Sequence, residues 1–184
     1  LNQLLRPIFD AAKKKEAIAS GGLLATGLPA GPGAATGRIA LTPEKAEEMA
    51  KDGPVILVRE ETSPEDIRGM AAAQGILTQK GGMTSHAALV ARQMGKVCVA
   101  GCAAVDIDEE ALTLTIGKKA FKEGDYISLD GSPNVKKKGE VLDGKLETQP
   151  SPVVAGLFGD TEEIRKQAQD TAEFRAYEKI MVWA

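Results

Sequence analysis

Residues 81–92 read GGMTSHAALVAR and hold His86, the one histidine among 184 residues. Two glycines, two hydroxyls and an imidazole lie between the apolar run GILT and an alanine-rich segment. A strand that passes through paired glycines into a helix start is a way to hold an anion. Glycine permits close backbone approach, and the first helical N–H groups lack internal partners at the positive end of the helix dipole. Thr84 or Ser85 can cap such a helix, which puts His86 in its first turn. The dipole there disfavours the imidazolium, so a nitrogen lone pair stays available near neutral pH. A neutral imidazole is a competent nucleophile. If it takes a phosphoryl group, the product carries about two negative charges, which the helix tip and the hydroxyls of Thr84 and Ser85 can stabilise. A Ser/His hydrolase fits less well, because neighbours in a turn project apart and no third member or oxyanion elbow accompanies them. The same residues also suit a steric turn with a structural histidine. On their own they leave two readings open, a phosphoryl acceptor and a non-catalytic α/β interaction module.

The surrounding pattern is alternating α/β. Residues 37–41, GRIAL, read as a strand, and Thr42 caps a helix with Pro43 at its first position. PVILVRE is a continuous apolar strand, which predicts a central place in its sheet. Ser63 caps the next helix, with Pro64 following and Asp66 where a capping-box acid would sit. GILT is the strand that leads into QKGGMTSH. After the histidine helix, VCVAG, ALTLTIG and DYISLDG read as strands separated by turns, and KKKGEVLDGKLETQ as an exposed extension. At the start, Leu1, Leu4, Leu5, Ile8 and Phe9 predict a short helical stripe, followed by polar KKKE and a glycine-rich break. At the end, a charged helix carries Ile164, Ala168, Ala172 and Ala176 along one side. The expected division is a lead-in over residues 1–25, an α/β domain over 26–150 and a helical exit over 151–184.

Composition excludes several classes. The chain is 43% hydrophobic but only 4% aromatic, so Ala, Val, Ile and Leu must fill the core. A net charge of −3 and the lack of aromatic residues among basic ones argue against nucleic acid. No apolar stretch approaches a membrane span, and LNQLLRPIFD is no signal peptide. Cys98 and Cys102 sit in apolar runs and are expected to be buried free thiols. One histidine and two cysteines without ligand spacing predict no metal site. A start without methionine suggests a piece of something longer, and a reducing, aqueous compartment is expected.

GGMTSHAALVAR followed by GKVCVAGC resembles the phosphohistidine signature of the phosphoenolpyruvate-utilising enzymes, and within them the pyruvate, phosphate dikinase family. LPAGPGAATGRI, VILVREETSPEDIRGMAAAQGILTQKGG, EGDYISLDGS and IMVWA are similar to that family as well, so the resemblance covers residues 26–150 closely and the flanks loosely. It implies a swivelling β/β/α domain with flanking linker helices. It implies that His86 is the tele-phosphohistidine intermediate, phosphorylated at one flanking domain from ATP and phosphate and delivering to pyruvate at another to make phosphoenolpyruvate. Gly81, Gly82, Thr84 and Ser85 would support the phosphate. By resemblance to plant members, Thr84 could also be a regulatory phosphorylation site, against a plainer role as cap or phosphate contact. Arg92 would be structural or face a partner domain. Arg59, Glu60, Glu61 and Thr62 could meet the same surface, with an exposed loop as the plainer reading. The domain itself would need no cofactor; Mg2+ and a monovalent cation would serve the flanking domains of an intact homodimer. The cytoplasm, or an organelle such as glycosome or chloroplast, is the implied location. Phosphoenolpyruvate synthase and enzyme I of the sugar phosphotransferase system are the alternatives within the mechanism, and Met83, where those carry arginine, favours the dikinase. The segment between LDGS and IMVWA reads as lengthened relative to the family.

Overall fold

The computed structural model of the chain describes residues 4–132 and 137–183. Its centre is a closed seven-stranded barrel, flanked by helices and by a small sheet, an α/β fold. The barrel strands are β2 (Leu23–Gly31), β3 (Ala34–Ala40), β4 (Val55–Arg59), β5 (Gly75–Thr78), β6 (Val97–Ala100), β10 (Tyr126–Asp130) and β11 (Gly139–Asp143). Around the ring the order is β10-β11-β2-β6-β5-β4-β3. β3, β4, β5 and β6 pair in parallel, and the remaining contacts are antiparallel. Parallel neighbours need crossovers, supplied by α2 (Pro43–Met49), α3 (Ile67–Ala72) and α4 (His86–Met94). A three-stranded meander, β7 (Val105–Asp108), β8 (Thr113–Ile116) and β9 (Lys119–Lys122), forms the second β layer.

The apolar runs explain this layering. Val55, Ile56, Leu57 and Val58 of β4 are all fully buried, because the strand is covered on both faces. Ile56 and Val58 point into the barrel with Ile39, Leu77, Val99, Ile127 and Leu129, and the meander adds Val105, Leu114, Ile116 and Phe121 to that core. Val55 and Leu57 face the helices, where Ala46, Met70, Ala87, Ala88 and Ala91 pack against Cys98 and Ala100. Alanine dominates this second layer, so the helices approach the sheet closely. The low aromatic content thus marks a thin interlayer. Cys98 and Cys102 are free and buried, and burial pushes the Cys98 thiol up to about 12.

Several expectations need correction. Leu1 lies outside the described residues, and residues 4–9 form no helix: Ile8–Phe9 is a short strand, β1, paired with β12 (Thr148–Gln149). The helix comes later, as α1 (Ala11–Ala19) over the polar run, because Asp10 accepts hydrogen bonds from the N–H groups of Ala12 and Lys13. Lys14 then bridges Asp130 and Glu140 on the barrel, at 2.5 Å each. β2 begins at Leu23, so the barrel takes in residues ahead of the expected boundary at 26. The polar extension beyond DYISLDG is also no extension: β11 closes the ring between β10 and β2, with Val141 and Leu142 fully buried. Two turns of the meander region are strands, β7 and β9. The exit segment is three helices, α5 (Pro152–Phe158), α6 (Glu162–Gln169) and α7 (Ala172–Trp183). The chain breaks at Thr171, whose hydroxyl donates to the Ala168 carbonyl and accepts from the Phe174 N–H. Ala168 and Phe174 are buried there, whereas Ala172, Ala176 and Ile164 are exposed. None of the described helices is long and apolar enough to cross a membrane.

Candidate functional site

β4 and β5 are parallel neighbours, so the chain leaves both strands at the same end of the barrel. The two loops are tied together directly. The Gln79 N–H donates to the Arg59 carbonyl at 3.1 Å and the Lys80 N–H to the Glu60 carbonyl at 2.8 Å, while the Lys80 ammonium pairs with the Glu60 carboxylate. This places the loop of residues 60–66 beside the start of the histidine helix.

The first loop is rigid for identifiable reasons. The Asp66 carboxylate accepts from the Ser63 N–H at 2.7 Å and from the Ser63 hydroxyl at 3.3 Å, as the capping-box reading expected. Asp66 is 3% exposed and lies 3.4 Å from the Arg59 Nε. Arg59 also donates to the Leu41 carbonyl and to Glu109, at 2.9 Å each. Thr62, one residue before this knot, is 5% exposed, and its Oγ1 is hydrogen-bonded to His86 Nδ1 at 3.0 Å. The plainer expectation of an exposed loop fails at Thr62, though it describes Glu60 and Glu61, which are exposed. Pairing between residues 24 apart leaves no periodic trace in a sequence; the one available signal was the capping box that follows.

The second loop depends on glycine. Gly81 has φ of +101°, a conformation L side chains rarely adopt. Gly101, just after β6, has φ of +62°, and a Cβ there would lie 2.5 Å from the Gly81 carbonyl oxygen. Gly101 therefore lets the histidine loop close onto the barrel rim, where the Cys102 N–H donates to the Thr78 carbonyl at 2.9 Å. Gly82 has open space around it. Ser85 is the cap of α4: its Oγ accepts from the Ala88 N–H at 3.4 Å and its carbonyl from the Leu89 N–H. His86 is the first residue of that helix and is half-buried. Ala87, Ala88 and Ala91 seat the helix on the sheet, and Gly95, left-handed at φ of +68°, ends it.

The remaining expected residues fall as follows. Thr84 is exposed and its hydroxyl has no partner among the described residues, so the capping role belongs to Ser85 alone. Arg92 donates to the Met83 carbonyl at 2.6 Å and to the Ala30 carbonyl at 3.4 Å. It reaches back along its own helix and holds the loop against β2. Among the described residues, no three His, Cys, Asp or Glu side chains gather to hold a metal ion.

A family model described as "PEP-utilising enzyme, mobile domain" matches residues 51–133, from the end of α2 through β10, His86 included. The pyruvate, phosphate dikinase of Clostridium symbiosum is 48% identical over 185 residues, covering 100% of this chain and 18% of the relative. Pyruvate, phosphate dikinase 1, chloroplastic, of Zea mays is 48% identical over 162 residues, covering 86% and 16%. The chloroplastic enzyme of Flaveria pringlei is 51% identical over 153, covering 82% and 15%. The chain thus spans less than a fifth of the length of the curated relatives it matches. The bacterial match runs through the exit segment that reads as lengthened. A solution structure of an Enzyme I protein aligns at TM-score 0.30 and 20% identity over 68% of this chain and 38% of that one, an overlap that carries no argument. A glycine-hinged loop presenting one imidazole at a barrel rim, and near-half identity over the whole chain, make this a member of the PEP-utilising enzymes, carrying their mobile domain.

Proposed function

We propose that this chain is the phosphohistidine domain of a pyruvate, phosphate dikinase and that His86 carries the phosphoryl group. The observation that carries the reading is the Thr62–His86 hydrogen bond. With Nδ1–H donating to the Thr62 hydroxyl, the lone pair resides on Nε2, which has no partner among the described residues. Nε2 attacks the phosphorus, the N–P bond forms, and the P–O bond to the donor's leaving group breaks. The ring then bears positive charge that Thr62 stabilises through the retained Nδ1–H. In this reading the exposed Thr84 hydroxyl donates to the phosphoryl oxygens. In the second half-reaction the enolate oxygen of pyruvate takes the group, Nε2 recovers its lone pair, and phosphoenolpyruvate leaves. The overall change is ATP, phosphate and pyruvate to AMP, diphosphate and phosphoenolpyruvate.

A rim-mounted, half-buried nucleophile suits a carrier better than a self-contained enzyme. Two partner sites sharing one nucleophile require it to travel on a tether. In this reading residues 1–22 and 151–184 lead to the neighbouring domains, and Mg2+ and a monovalent cation act there. Thr84, two residues from His86 and open to solvent, is also where a regulatory phosphate would repel the incoming one.

The test is labelling of the full-length protein with phosphoenolpyruvate bearing radioactive phosphate. An acid-labile, base-stable label mapping to His86 by mass spectrometry is expected, and none with His86→Asn. A label elsewhere, or none in the native protein, overturns the assignment.

A further inference from the structure

The far end of the barrel, where β4, β5 and β6 begin, holds a cavity of about 530 Å³ that the chemistry at His86 does not use. Three cations line it; Lys145 is stacked over the Tyr126 ring, which leaves Arg6 and Lys96. Arg6 lies across Gly33 and Gly95, neither of which leaves room for a Cβ beneath the arginine, and its guanidinium donates to the Gly95 carbonyl. Lys96, next in the chain and half-buried, also lines the cavity. Neither has a carboxylate partner among the described residues. The one acid in the lining, Glu147, is bound to Lys13. Burial, and then the Arg6 charge, lower the Lys96 pKa.

Two like charges gathered in a partly desolvated recess, in a chain of net charge −3, are unfavourable without a counter-charge. An anion between them removes the repulsion and gains charge-assisted hydrogen bonds. The rest of the lining is mixed, with Met94, Leu146 and Ala34 offering apolar contact and Gln74 and Thr148 offering polar groups. A bare inorganic ion would leave most of the space unfilled.

We propose that this cavity binds a small organic phosphate, with the phosphate between Arg6 and Lys96 and the organic part against Met94 and Leu146. The site is distinct from the loop at His86, and it stands whether or not the phosphohistidine reading does.

The experiment is titration of the isotopically labelled 184-residue chain with phenyl phosphate, and separately with inorganic phosphate, read by amide chemical shifts. Shifts at Lys96, Gln74 and Ala34 are expected, with phenyl phosphate bound about tenfold tighter than inorganic phosphate for the ring it buries. Lys96→Met and Arg6→Met should each weaken phenyl phosphate about tenfold or more, and Lys96→Arg should retain most of the affinity. His86→Asn should leave it unchanged. Shifts confined to residues 81–88, affinity indifferent to Lys96→Met, or no binding of phenyl phosphate would overturn the proposal.

Discussion

The loops after β4 and β5 leave adjacent parallel strands and run into short helices, yet they are built on opposite plans. Residues 60–66 are locked from within: Asp66 takes two hydrogen bonds from Ser63, Arg59 clamps Asp66, and Thr62 is buried beside them. Residues 79–85 are held at their ends and, in the middle, only through the Met83 carbonyl that Arg92 grips, so the side chains there stay open. Gly81 closes against the rim through the gap at Gly101, Ser85 caps α4, and between them Gly82, Met83 and Thr84 face solvent, Met83 being 42% exposed. One loop fixes the imidazole; the other leaves the side proposed to accept the phosphoryl group clear. A side chain that must be both oriented and accessible is served by taking its orientation from a different segment than its own.

That contrast can be broken in steps. The largest effect belongs to His86→Asn, which should reduce phosphoenolpyruvate formation by the full-length protein below detection while circular dichroism and Tm stay native, since the residue is half-buried and makes one side-chain hydrogen bond. Thr62→Val should come next, slowing turnover by about 10- to 100-fold with little change in substrate KM. Thr62→Ser, which keeps the hydroxyl, should recover most of the loss; equal rates for both variants would mean Thr62 merely packs. Gly101→Ala should cost about 1–3 kcal/mol in urea unfolding, because the added methyl meets both a positive φ and the Gly81 carbonyl. Its rate should fall as well, through the displaced loop. Gly82→Ala should be nearly silent, within about 0.5 kcal/mol and about twofold in rate, since nothing lies within 4 Å of the new Cβ. If Gly82→Ala proved as damaging as Gly101→Ala, the open middle of the second loop would be an illusion.

The parallel half of the barrel was legible because continuous apolar runs and proline-led helix starts carry local, periodic signals. GILT is β5 to the residue, and Thr42 and Ser63 sit where the helix starts expect them. The histidine loop was legible through its composition. Other elements are held by partners distant in the chain. β11 carries charged and glycine residues at its ends and contributes Val141 and Leu142 to the core; only ring closure against β2 and β10 makes it a strand. α1 has no apolar face to advertise it and is held by the Asp10 cap and the Lys14 bridges. Thr62 belongs to the same class, as its role exists only once β4 and β5 lie side by side.

Closing the strands into a ring has one more effect. An open sheet ends in a row of unsatisfied amides and carbonyls, a template onto which any extended segment can add. Here that row is absent from the barrel, so a backbone ladder that another copy could extend is left only at the edges of the small sheets, such as β7 and β9 of the meander. Whatever recognises the barrel itself must read side chains and loop shape.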